Sequence, residues 1–500
     1  MRAAGGRPRG GGGGCVLRRA GCCPRPRRSA YHAKRRAGRD RALPSARVSA
    51  YASDVLVVGG GNAGCMAALA AARHGADVLV IERYGFLGGT ATAAMVGPWM
   101  TFHAGERRVV GGIAQEVVER LQARGGSPGH LPDASSYVPT ITPFDPEILK
   151  AVLFEMMEEA GVRLVLHAWL LDALMDGARV RGARFATVGG VREACARISI
   201  DATADARLAF SAGVAMQQGD ERGRVQPCTM IFRLSHVDRG ALAAYIRAHP
   251  DQMRTHLDAR SVRAEDLTAV AGLYELWERA RSAGEVSVPR ELVSLFATPY
   301  SDEMTVNMTR VTGVDPLDPD DLTRAEIEGR RQAMELVTFF QRHVPGFEGS
   351  RLAASAVQLG VRETRRIVGE YVLTAEDLLA ARRFPDAVAR SGYPIDIHNP
   401  TGAGTLTKRL PPGETYEIPY RCLVPAGIDG MLVTGRCIST THEALASTRL
   451  TPTVMTLGQA AGTAAALCTR EDTRPRDVDG RRLRAILRDD GVDLPEQAAR

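Results

Sequence analysis

Apolar and polar positions follow two distinct rhythms along this chain. Residues 55–58 form an unbroken apolar run, followed by glycines, a small-residue helix over 67–73 and a second apolar run over 78–81. Short continuous apolar runs separated by a helix are expected of parallel strands buried on both faces. Residues 144–161 read as a helix, with Pro146 near its first turn and Gly161 closing it. Strands over 163–167, 170–175, 179–187 and 198–202 follow, with turns at Asp176-Gly177 and Gly189-Gly190. From about 231 to 418 the rhythm changes. Helical stretches over 239–248, 264–283 and 323–343 alternate with short strands, and 292–297 with 304–311 reads as a hairpin. An apolar strand returns from Met431, a small-residue helix spans 457–466, and an amphipathic helix closes the chain over 478–488. The pattern predicts an α/β protein: a Rossmann-type domain split into 53–230 and 419–470, an inserted α+β substrate domain over 231–418, and a C-terminal helix and tail over 471–500.

The glycines after the first apolar run carry the chemistry. They read Gly59-x-Gly61-Asn62-Ala63-Gly64, between a strand and a helix, and the second strand ends in Glu82. In that context the first glycine permits a tight turn, the second admits a pyrophosphate, and the third lets helix and strand pack closely. A helix N-terminus favours the phosphates, and a carboxylate about 20 residues on can accept from ribose hydroxyls. Asn62 and Ala63 would lie on the phosphates. Arg83, Gly88, Gly89 and Thr90 then supply a second glycine loop, suited to an extended cofactor. At the far end, Gly435-Arg436 closes a strand, and Gly458 and Ala461 would let a flat ring approach a helix start. Positive potential there suits the N1–C2=O edge of a flavin, so the expected cofactor is FAD.

Together these segments resemble a large family of bacterial FAD-dependent oxidoreductases within the glutathione-reductase-type flavoproteins, related to the flavoprotein subunits of fumarate reductase and succinate dehydrogenase. The resemblance covers about residues 53–495. Its blocks are Ile200-Asp201-Ala202-Thr203-Ala204-Asp205, Gln226-Pro227, Val306 to Val311, Gly360 to Ile367, Asp396 to Asn399 and Ile418 to Pro425. It implies that Ala202 and Thr203 lie beside the cofactor. Ala204 stands where the family's motif usually has glycine, so the local turn is expected to differ slightly.

Charge and composition narrow the partners. The net charge of +7 comes from the first 50 residues, which hold 14 Lys or Arg and one acid. The rest of the chain has 50 basic and 56 acidic residues, a balance of −6, so no nucleic-acid partner is expected. The Arg/Gly/Pro-rich segment 1–50 is expected to be disordered, with the true start codon near Val48. No apolar run approaches the ~20 residues of a membrane span, so no membrane association is expected. Cys65, Cys195, Cys228, Cys422, Cys437 and Cys468 are scattered without CxxC spacing, which argues against a metal site and fits a reducing cytoplasm.

The expected partner is a small-molecule substrate; the electron acceptor is unknown from sequence. Redox chemistry on a flavin needs proton handling by the protein, for which histidine is suited. His442 follows the Gly435-Arg436 strand end and is the first candidate acid/base; His398 is the second, with His103 behind them. Arg310 and Arg362, with Arg365 and Arg366 as further candidates, could clamp a carboxylate or phosphate. No Gly-x-Ser-x-Gly elbow is present, so hydrolysis lacks its nucleophile. The expected reaction is hydride transfer from a hydroxyl-bearing metabolite, sugar-like ones included, to flavin N5. Alternatives are reduction of an activated C=C bond, flavin monooxygenation, and a non-catalytic assembly or tRNA-modification role.

Overall fold

Five strands run parallel through the middle of the fold. Strand β1 (Ala50–Val58) pairs with Val78–Ile81 on one side and Gly190–Asp201 on the other. Arg163–Val165 extends the sheet beyond Val78–Ile81, and Met431–Val433 pairs with the C-terminal half of Gly190–Asp201. Residues Val55 to Val58 are at most 2% exposed, as the unbroken apolar run requires of a strand covered on both faces. Arg179–Thr187 and Trp169–Asp176 continue the sheet antiparallel. The carboxyl ends at Val58, Ile81, Asp201 and Val433 therefore fall together, the edge of an open α/β sheet where ligands bind. The computed structural model describes residues 50–496; the basic N-terminal segment and Cys15, Cys22 and Cys23 lie outside them.

Helix α1 (Asn62–Arg73) follows β1 and packs against the long helix Thr451–Glu471. The two backbones nearly touch. A Cβ on Gly458 would lie 2.1 Å from the Ala63 carbonyl oxygen, and one on Gly462 would lie 2.0 Å from that of Ala67. These glycines therefore serve helix–helix packing. The expectation that the helix begins near 457, with Gly458 and Ala461 at its first turn, is corrected: it begins at Thr451, with Pro452 in the favoured first turn.

The inserted domain is a five-stranded antiparallel sheet in the order Ala269–Gly272, Val293–Ala297, Glu303–Val306, Phe232–Ser235, Arg351–Ser355. Helices Arg239–Ala248, Tyr274–Ser282 and Pro319–His343 accompany it, and Trp277, Phe339, Phe340 and Phe347 fill its core. Asp318 caps the last of these helices by accepting from the N–H groups of Asp320 and Asp321, which sets its start before the expected residue 323. The helix expected over 264–283 is instead the strand Ala269–Gly272 and a shorter helix. Leu273 turns the chain between them in the left-handed region, with φ of 54°. Residues 373–423, expected partly with the insert, share their apolar core with α1 and Thr451–Glu471, so the insert proper ends earlier.

Candidate active site

The sheet's carboxyl edge is built for close approach. Gly59 has φ of +103°, and a Cβ there would sit 2.6 Å from the Ala202 carbonyl oxygen; one on Gly64 would meet the Gly59 oxygen at 1.8 Å. Glu82 reaches across the turn, accepting from the Gly60 N–H at 2.6 Å and the Tyr84 N–H at 2.9 Å. Burial pushes its carboxyl up and these hydrogen bonds oppose it. The second glycine loop rests on the first: the Gly88 N–H donates to the Gly60 oxygen at 2.9 Å. Arg83 lies over the rings of Tyr84 and Trp169 and donates to Gln358 at 3.1 Å. Asp201 is fully buried and accepts from the Thr203 N–H and hydroxyl and the Ala209 N–H, which fixes the turn after the third strand end. Ala204 holds that turn with φ of 66°, the conformation a glycine would adopt without strain.

A cavity of about 210 Å³ opens from this edge toward the inserted domain. Asn62, Ala63, Thr90, Ala202 and Gly435 line one side; Thr229, Ile231, Phe296, Arg362 and His398 line the other, with Arg449 and Leu450 at the start of helix Thr451–Glu471. Its volume is below the ~300 Å³ of typical whole-ligand pockets. Three observations fit a flavin dinucleotide there. The Asn62 Oδ1 is buried with no partner. The N-termini of α1 and of Thr451–Glu471 both border the cavity, and neither has a side-chain cap or an acidic first turn. Their N–H groups are thus left for an anionic or electron-rich ligand. Gly435 has φ of +92°, and a Cβ there would meet only Ala63 within 4 Å.

The wall opposite the glycine turn is cationic. The Arg362 Nη1 donates to the Pro227 oxygen at 2.6 Å and to the Thr229 hydroxyl at 2.7 Å. Burial and the neighbouring Arg449, Arg290 and Arg310 cations push its guanidinium down to about 9. His398 stands beside it. The Arg310 Nη2 lies 2.9 Å from His398 Nδ1, and arginine only donates, so Nδ1 accepts and the ring proton sits on Nε2. That nitrogen faces Asp396 Oδ2 at 3.3 Å. Burial and Arg362 push the imidazole down to about 3, so it is neutral. Asp396 also accepts from the Tyr137 hydroxyl at 2.7 Å. Burial raises its carboxyl, but His398, Arg449 and Tyr137 outweigh this and hold it well below the carboxylate range.

Other candidates lie elsewhere. His442 does not line the cavity; its Nδ1 meets the buried carboxylate of Glu363 at 2.9 Å. Arg366 pairs with the same carboxylate, and Arg365 lies over the Phe210 ring at 4.0 Å. His103 hydrogen-bonds Thr140 at 3.0 Å. Arg436 borders the cavity, but its guanidinium is spent on Asp205 and the carbonyl oxygens of Ala204 and Val361. Thr203 turns its hydroxyl to Asp201. Arg310 donates to the Gly402 and Gly404 oxygens at 3.0 and 2.9 Å, so it fastens the hairpin bearing His398. Arg449 escaped the sequence reading; Pro452, marking the true helix start, was the signal that would have found it.

Residues 54–487 match the family described as FAD dependent oxidoreductase. The chain belongs to that family. Its cofactor is FAD, and it is an oxidoreductase enzyme with a Rossmann-type FAD-binding domain and an inserted domain. Two curated relatives from Methanopyrus kandleri are digeranylgeranylglycerophospholipid reductases 1 and 2. They are 32% and 35% identical over 33% and 32% of this chain. The aligned regions cover 43% and 40% of those relatives' lengths, less than half of each. Among solved structures, a flavin-dependent brominase aligns with TM-score 0.45 at 14% identity, over 88% of this chain and 83% of that one. A geranylgeranyl bacteriochlorophyll reductase-like protein from Thermoplasma acidophilum aligns with TM-score 0.42 at 14% identity, over the same shares. No helix of the described residues is long and apolar enough to cross a membrane, and none of their His, Cys, Asp and Glu side chains group to hold a metal ion.

Proposed function

We propose that this oxidoreductase reduces an activated C=C bond in a small polar substrate. The observation that carries the reading is the state of His398. Dehydrogenating an alcohol requires a group that takes the hydroxyl proton. His398 is a poor base for it, because Arg310 occupies the Nδ1 lone pair, Nε2 carries its proton toward Asp396, and the ring stays neutral to about pH 3. Asp396 is held ionised by its partners and is a correspondingly weak base. Reduction makes the opposite demand, for a cation that draws electron density and a source of a proton. Arg362 answers it. Beyond Nη1, its N–H groups have no acceptor among the described residues, and at about 9 it is charged at neutral pH yet more acidic than an ordinary arginine.

When bound, FAD supplies two-electron hydride chemistry at N5. The protein's part is placement: Arg362 polarises the activating group, the Arg310–His398–Asp396 chain keeps the wall rigid, and Val96, Ile231, Phe296 and Val454 exclude water. This reverses the direction expected from sequence. The Methanopyrus kandleri relatives are named as reductases, which is chemistry in the same direction. Glu82 held across the glycine turn, with the second glycine pair resting on it, supports the narrower glutathione-reductase-type affiliation.

The test is anaerobic. Dithionite-reduced holoprotein is mixed with activated alkenes, and oxidised holoprotein with polyols, sugars and hydroxy acids, while the visible flavin band is followed. Activated alkenes should restore the oxidised band. Bleaching by a hydroxyl compound, with no alkene reoxidising the flavin, would reject the proposal.

A further inference from the structure

The charges around the cavity do not balance. Arg310 is buried and Arg290, Arg362 and Arg449 are half-buried; the other three lie within electrostatic range of Arg362, and Asp396 is the buried carboxylate that answers them. Glu291, the other acid in range of Arg290 and Arg310, is exposed. Asp396 is already shared among the Tyr137 hydroxyl at 2.7 Å, His398 at 3.3 Å, the Tyr393 hydroxyl at 3.5 Å and Arg449 at 3.8 Å. A buried cation without a counter-anion is costly, so such a wall calls for one.

The four arginines divide by whether they border the cavity. Arg310 is spent on Gly402, Gly404 and His398, and Arg290 donates to the Asn307 oxygen at 3.0 Å; neither borders the cavity. Arg362 and Arg449 do border it, with N–H groups that have no acceptor among the described residues. The Arg449 Nε is buried with no acceptor, and its Nη2 reaches the Asp396 carbonyl oxygen only at 3.4 Å. Planar guanidinium forks match a carboxylate two bonds at a time.

We infer that the substrate of this cavity carries a carboxylate, held between Arg362 and Arg449. The inference rests on reading the cavity as the reductase's substrate site, and it adds the substrate class. It also accounts for activation. A carboxylate withdraws electrons from an adjoining C=C bond poorly while it keeps its charge, and two guanidiniums neutralise that charge.

The test uses oxidised holoprotein and non-reacting probes. Propionate and succinate are titrated against the neutral succinamide, following the visible flavin band and the heat of binding. Carboxylates should saturate, and succinamide should bind at least tenfold more weakly. Arg362→Gln and Arg449→Gln should each weaken carboxylate binding at least tenfold with flavin content kept, whereas Arg365→Gln should change nothing. Equal binding of amide and carboxylate by the unaltered protein would overturn the inference without need of any variant. So would Arg variants that shed flavin while the remaining holoprotein binds carboxylates normally, since the cations would then serve the cofactor. If carboxylates bind but no unsaturated acid reoxidises the reduced flavin, the anion site stands and the reductase reading falls. If neutral enones reoxidise the flavin and carboxylates do not bind, the reverse holds.

Discussion

Replacing His442 separates a structural histidine from a chemical one. The residue opens helix His442–Thr448, and its Nδ1 meets Glu363, which is fully buried and is otherwise served by Arg366 and, at 3.4 Å, the Gln226 N–H. In His442→Ala the carboxylate keeps Arg366 but loses a partner, a cost of about 1–3 kcal/mol. Unfolding entropy of ~2.1 cal/mol/K per residue over about 450 residues gives ~0.9 kcal/mol/K, so Tm should fall by about 1–3 °C. Flavin oxidation and reduction rates should stay within about twofold, whereas loss of a positioned acid or base would slow them by ~10²–10⁴. The assay pairs a thermal melt of the holoprotein with flavin content and anaerobic stopped-flow absorbance. A hundredfold slower flavin reaction at unchanged Tm and flavin content would refute the structural role and make His442 the proton-transfer group.

Three further outcomes are expected. Folded His398 stays neutral to about pH 3, while the unfolded residue takes a proton below ~6.5, so stability should fall as pH drops through that window. The share due to this group is up to ~1.4 kcal/mol per pH unit; His398→Gln should flatten the slope of urea midpoints between pH 6.5 and 4, and an unchanged slope would sink the assignment. Gly458→Val places a side chain where a Cβ alone lies 2.1 Å from the Ala63 oxygen, so it should cost at least ~1–3 kcal/mol and lower the flavin-to-protein ratio by shifting the start of α1. Normal flavin content and Tm would contradict the close packing. Ala204→Gly should relieve ~1–2 kcal/mol of left-handed strain against ~0.5–1 kcal/mol of chain entropy, raising Tm slightly; a fall in Tm would show that the methyl group's packing outweighs the strain.

Cofactor-side features were legible because each is local. A glycine turn, the strand before it and the helix after it lie within a few dozen residues, and the apolar runs 55–58 and 78–81 could only be doubly covered strands. Gly458 shows where locality misleads: a glycine in a helix can admit a ring or a neighbouring helix, and only the partner decides between them. Here the partner is Ala63, nearly four hundred positions earlier, and the helix start that borders the cavity moves back to Leu450 and Thr451. The cationic wall was less legible still. Arg362, His398 and Arg449 come from separate segments far apart in the chain that meet only at the cavity, and their meaning lies in charges summed across them. Arg310 and Arg362 look alike in sequence, yet one is used up holding a hairpin and the other keeps donors for the cavity. His442 was attractive because it follows the Gly435-Arg436 strand end, but a residue seven positions on can already have turned away. What turns it is Glu363, a buried carboxylate needing partners, and the strength of that need could not be read before its burial was known.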